Sequence, residues 1–72
     1  TKYKDEAKKA VSNNVRKYRE AIGLTQTALS LKIRKSSEYI SRVERAVMIP
    51  SVDVLYEIAD ILNIEPSKLL AP

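Results

Sequence analysis

Ala7, Val11, Val15, Tyr18 and Ile22 fall at steps of four, four, three and four, and the stripe stops at Gly23, the only glycine in the chain. An apolar stripe of that period is one face of an amphipathic helix, predicted here over about residues 6–21. A glycine just past it takes the left-handed C′ position at no steric cost. Asp5 and Lys9 form an i,i+4 pair in the favourable order at the front of this helix. Ser12-Asn13-Asn14 offers a second start, so residues 1–10 are either a frayed segment or an extension of the helix. One glycine and three prolines in 72 residues are too few turn formers for a β-sandwich and point to helices with short joints.

The rest of the chain divides in the same way. Thr25 is a predicted N-cap for a second helix, Gln26 to Ile33, with Leu29 and Ile33 four apart on its inner side. Ser36 is a predicted cap for a third helix, Ser37 to about Arg45, whose apolar side is Ile40 and Val43. Pro50 ends the next joint and Ser51 caps a fourth helix through Leu62. Leu55, Ile58, Ala59 and Leu62 line one face of it, away from Asp53, Glu57 and Asp60. Asn63 suits the C′ position, and Pro66 suits the first turn of a short fifth helix ending at Leu69 and Leu70. The expected fold is all-α: one compact five-helix domain spanning residues 1–72.

Composition narrows the chemistry. A 72-residue chain makes one domain and buries only about 60% of the surface its unfolded form exposes. It holds no Cys and no His, which removes thiol nucleophiles, disulfides, imidazole bases and structural zinc sites. Its remaining acid–base groups are carboxylates on predicted solvent-facing helix sides, where nothing tunes a pKa, so no enzyme is expected. Asp53, Glu57 and Asp60 read as a solvated acidic face, since nothing converges their oxygens on a metal. No cofactor is expected. No apolar run approaches the ~20 residues of a membrane span, and none reads as a signal h-region.

The net charge of +4 is unevenly divided. Residues 1–45 carry twelve bases against five acids, a balance of +7, whereas residues 46–72 carry one base against four acids, a balance of −3. A basic half joined to an acidic half is the layout of a surface that meets phosphate on one side. Lys2, Lys4, Lys8 and Lys9 read either as a basic arm or as a solvated helix start.

Three stretches taken in register carry a resemblance. They are Gly23-Leu24-Thr25-Gln26 through Leu29, then Ser36 to Glu44, and Pro50-Ser51 through Leu62 with Leu69-Leu70. Together, over about residues 12–70, they resemble the Cro-type, lambda-repressor-like (XRE) helix-turn-helix family. The resemblance implies five helices, with the second and third forming the helix-turn-helix and the third lying in the DNA major groove. It also implies a bacterial or phage-encoded regulator working in the cytoplasm at the nucleoid.

The chain departs from that pattern at the turns. The turn between helices 2 and 3 usually carries Gly followed by an apolar residue, where this chain has Arg34-Lys35. With the usual backbone Arg34 must take φ > 0, which costs a non-glycine residue about 1–2 kcal/mol. The Gly that often follows the third helix is Ala46 here, and the following loop reads Val47-Met48-Ile49 instead of offering bases. Leu31 stands where a polar residue is usual.

The resemblance assigns base-facing positions to Ser37, Glu38 and Arg42, with Ser41 on the same side of the third helix. Arg42 can bond guanine O6 and N7, and Glu38 can accept from cytosine N4. Glu38 and Arg42, at i and i+4, can also pair with each other, and a carboxylate suits the front of a helix in any case. Tyr39 is expected to bond a phosphate or pack on a thymine methyl, in preference to plain packing against helix 2. Thr25 and Gln26 open the helix that crosses the backbone, where the Gln26 amide and free N–H groups can hold a phosphate oxygen. Lys35, with Arg34 beside it, is placed for phosphate, and Ser36 is a cap first and a phosphate contact second. Arg19 and Glu44 lie where related repressors pair helices 1 and 3, so they read as a structural ion pair outside the contact set.

The implied function is sequence-specific double-stranded-DNA binding by a transcriptional regulator, more often a repressor. One module of this size reads few bases, so a homodimer on a palindromic operator is expected. The dimer contact is placed around helix 5 and helix 4 near Tyr56 and Ile61, with Leu31 and residues 47–49 as an equally apolar alternative. The rival is a protein-binding helix-turn-helix module of antitoxin or assembly-factor type, favoured by the altered turns and that apolar patch.

Overall fold

A computed structural model describes residues 2–72. It contains four α-helices, α1 (Lys2–Ala21), α2 (Gln26–Lys32), α3 (Tyr39–Glu44) and α4 (Val52–Leu62), followed by a single 3₁₀ turn, Pro66–Leu69. Five helical segments were expected; the fifth is too short to close an α-helical ladder and tightens to 3₁₀. The first is longer than its stripe, because residues 2–10 extend the helix instead of fraying. Ile22 falls beyond its end and is 53% exposed, so the stripe's last residue stays outside the core.

All four α-helices end in the same way. Gly23, Arg34, Ala46 and Asn63 each take φ between 57° and 69°. In each case the left-handed residue's N–H returns to the carbonyl three back. The next residue's N–H returns five back: Leu24 to Arg19, Lys35 to Ser30, Val47 to Arg42 and Ile64 to Ala59, at 3.0–3.1 Å. These are Schellman closures, which satisfy carbonyls the ladder leaves open. Only two of the four carry a residue suited to that conformation. Arg34 and Ala46 adopt it at about 1–2 kcal/mol each, because satisfying the carbonyls left open at a helix end outweighs the strain.

The starts of α2 and α4 follow the sequence. Thr25 Oγ1 accepts from the Ala28 N–H at 3.0 Å, and Ser51 Oγ accepts from the Val54 N–H at 3.4 Å. The start of α3 does not. Ser37 and Glu38 form a turn ahead of it, and neither Ser36 nor Glu38 caps it with a side chain. The hydroxyl comes from α2 instead. Ser30 Oγ, fully buried, accepts from the Ile40 N–H at 2.9 Å and donates to the Gln26 carbonyl at 2.8 Å.

Every helix contributes to one core. Val11 and Val15 of α1, Leu29 and Ile33 at α2, Ile40 and Val43 of α3, five residues of α4 and Leu69 are all buried. Tyr18, Leu24, Tyr39, Met48, Ile61 and Ile64 pack partly against them. The C-terminal end is tied to α1 by Asn14, whose Nδ2 donates to the carbonyls of Leu69 at 3.0 Å and Ala71 at 2.7 Å. Among the described residues no helix is long and apolar enough to cross a membrane.

Candidate nucleic-acid interface

The face built by α2, α3 and the turn between them begins with how α3 is held. Ile40 and Val43 are fully buried, which fixes its rotation and leaves Arg42 exposed. Ser41, one residue before, is half-buried. Ser37 and Glu38 are exposed in the entering turn instead of the first helical turn predicted for them. The α-helical part of α3 is only six residues long.

Around the Glu38 carboxylate at the front of α3 lie its own backbone N–H, the Ser37 hydroxyl and then the Ser36 hydroxyl, with the Arg42 charge a smaller influence. Together they hold its carboxyl below the ordinary carboxylate value. Tyr39 is half-buried, and burial raises its phenol above the ordinary value, so it stays a neutral O–H donor. Lys35 Nζ stands 5.4 Å from the Tyr39 ring, a cation over a π face. Arg34, Lys35 and Ser36 are exposed in the turn between α2 and α3.

At the C-terminal end of α3 sits a polar cluster centred on Glu44, which is 5% exposed. Arg19 is 9% exposed and makes a two-pronged contact with it, Nε to Oε2 at 2.6 Å and Nη2 to Oε1 at 2.9 Å. The third nitrogen, Arg19 Nη1, donates to the Leu24 carbonyl at 2.8 Å. Gln26 Nε2 and Arg16 Nε both donate to Glu44 Oε1, at 3.0 and 3.3 Å. Burial pushes the Glu44 carboxyl up, and the hydrogen bonds from Arg19, Gln26 and Arg16 outweigh it, leaving it below its ordinary value. The Glu44 bond raises the Arg19 guanidinium further. Among the described residues no buried side-chain polar atom lacks a partner.

Thr25, Lys35, Ser36, Ser37, Glu38 and Arg42 are thus exposed on or beside the helix pair, while Gln26, Tyr39 and Ser41 are partly covered. One Gln26 N–H is engaged by Glu44, and an amide carries a second. Sequence reasoning passed over two residues. Ser30 left no local signal, since its partner Ile40 is ten positions away. Arg16 left a weak one, three residues before Arg19 on the same helix side.

The expected apolar patches are smaller than the sequence suggested. Leu31, Val47 and Tyr56 are each more than half exposed. Met48 and Ile61 turn partly into the core, and Ile49 is half-covered.

A family model described as Helix-turn-helix (HTH_3) matches residues 15–69. A protein of Sinorhizobium fredii named as an uncharacterized HTH-type transcriptional regulator, y4dJ, is 34% identical over 65 residues, covering 90% of this chain and 84% of that one. Among solved structures, the fold is similar to a hypothetical transcription factor, NHTF, from Neisseria. The TM-score is 0.86 at 24% identity, over 92% of this chain and 76% of the other. It is also similar to the restriction-modification controller protein C.AhdI from Aeromonas hydrophila. There the TM-score is 0.78 at 31% identity, over 93% and 94% of the two chains. With α2 and α3 arranged as a helix-turn-helix, and on the matching family model and the 34%-identical relative, the chain belongs to the XRE-type helix-turn-helix family of transcriptional regulators.

Proposed function

We propose that this chain is a sequence-specific double-stranded-DNA-binding repressor that sets α3 and its entering turn into the major groove. The observation that supports this most directly is the division of α3. One side is locked into the core by Ile40 and Val43, and the opposite side presents Arg42 with Ser37 and Glu38 at its entrance. Arg42 bonds a guanine edge, Glu38 accepts from a cytosine amine, and Tyr39, Lys35, Ser36, Thr25 and Gln26 hold flanking phosphates. A chain without His or Cys is suited to binding and not to catalysis. The controller protein similar to it at 31% identity favours the regulator reading.

Six helical residues and a turn contact few base pairs, so the functional species is a homodimer on a palindromic operator. Its half-sites lie about 34–36 Å apart. It acts in the cytoplasm, on nucleoid DNA. A protein-binding role is favoured by one observation, the exposure of Leu31 (58%) and Val47 (57%) near the same helix pair.

Selection of preferred sites from random duplexes, followed by a salt series on the winner, tests the reading. A palindromic consensus whose affinity falls steeply with salt is the expected result. No sequence preference at low salt would sink it and favour the protein-binding role.

A further inference from the structure

Arg16 is the most exposed of the three side chains that donate to Glu44. Its side chain is 53% exposed, whereas that of Glu44 is 0% and that of Arg19 11%. Two guanidinium charges meet one carboxylate inside the cluster. Arg19 takes both carboxylate oxygens and shields them from water. Glu20 approaches Arg19 only at 3.9 Å and is 64% exposed, so water screens its charge. The excess positive charge therefore emerges at Arg16.

Arg16 is also held where it emerges. Its Nε donates to Glu44 Oε1, the same oxygen that receives Gln26 Nε2. The two donors thus converge on one point, Arg16 from α1 and Gln26 from the start of α2. A guanidinium has five N–H donors and spends one here; the Gln26 amide has two and spends one. The unspent donors of Arg16 include its two terminal nitrogens, a planar fork of the kind that fits two oxygens of a phosphate. Because Glu44 fixes the stem of that fork, less side-chain freedom is lost when an anion arrives.

From this geometry we infer that Arg16, with Gln26 beside it, forms a DNA-phosphate seat that brings α1 into the nucleic-acid interface. The inference rests on the DNA-binding reading above and adds to it a third element, since that reading draws contacts only from α2, α3 and their joint. The carboxylate does not repel the incoming phosphate strongly, because it is buried behind two guanidinium groups. The seat reads no sequence; it sets the position of the duplex against α3.

The test is duplex binding by fluorescence anisotropy across a salt series, with wild type, Arg16→Gln and Arg16→Lys, beside thermal melting of each. Each phosphate contact adds about 0.9 to the slope of log affinity against log salt. Arg16→Gln should therefore shrink the affinity loss between 50 and 200 mM salt by about 3.5-fold, for specific and unrelated duplexes alike. Arg16→Lys, which keeps the charge, should restore most of the slope. Arg19 still grips Glu44 in both variants, so both should melt close to wild type. A wild-type slope in Arg16→Gln, with or without a lower melting temperature, overturns the seat and leaves Arg16 a strut for Glu44. If wild type itself shows no salt-dependent duplex binding, the DNA-binding reading fails first.

Discussion

Arg19 and Glu44, twenty-five residues apart, are joined by two charge-assisted hydrogen bonds of 2.6 and 2.9 Å, and through them α1 grips the end of α3. Those bonds run to the helix that presents Arg42. The pair therefore governs both stability and the aim of the helix.

Removing one partner strands the other. Glu44→Ala leaves Arg19 buried without its carboxylate, which costs about 3–5 kcal/mol. In a domain of this size the melting temperature should fall by roughly 10 °C or more. An unchanged melting curve would contradict the role. Replacing both members by apolar residues should cost less than Glu44→Ala alone, because no charge is then left unpaired.

Acid should loosen the same joint. The Glu44 carboxyl titrates below its ordinary value in the fold. Its stabilising contribution is thus complete above the unfolded value, about 4.3, and disappears as pH falls through the depressed folded value. Urea midpoints measured from neutral pH downward should fall through that window in wild type. In Glu44→Gln the fall should be shallower, with lower stability already present at neutral pH.

Ser30→Ala separates the true start of α3 from the one its sequence suggests. The change leaves the Ile40 N–H buried without its acceptor, at about 1–3 kcal/mol. It should also speed amide exchange at Ile40 and weaken duplex binding. Ser36→Ala removes no helix cap and should lower stability much less. Equal losses from the two would contradict the assignment.

The strained helix ends predict a gain. Ala46 sits at φ 60°, so Ala46→Gly should raise stability by about 1 kcal/mol in chemical denaturation. Ala59, buried within α4, should do the opposite: Ala59→Gly should lower stability by about 1 kcal/mol from propensity alone. A loss at Ala46 similar to that at Ala59 would mean the left-handed conformation carries no strain.

Arg42→Ala should weaken binding to the selected operator by about 1–3 kcal/mol and relax one base position, with melting little changed. Repeating site selection with the variant checks both effects. An unchanged consensus would remove Arg42 from the reading head.

Much of this protein was local enough to be legible in the chain. Thr25 and Ser51 cap through partners three residues on, and Gly23 and Asn63 end helices by their own backbone freedom. Such signals need no knowledge of the rest of the fold. The third helix was misread by two residues because its hydroxyl, Ser30, belongs to another helix. Ile22 keeps the spacing of the stripe but lies just past the helix end and is half exposed, because period alone does not supply a neighbour to pack against.

The sequence by itself determined the helical class, the number of segments, most of the core positions and the basic half, since period, caps and charge are written residue by residue. Only the tertiary structure decided which charges act together. Arg16, Arg19, Gln26 and Glu44 come from three helices, and packing alone brings their donors onto one carboxylate. Arg34 takes the positive φ that its turn pattern required, and Ala46 takes one too. No local preference favours that conformation in either residue; the carbonyls that must be satisfied at a helix end impose it.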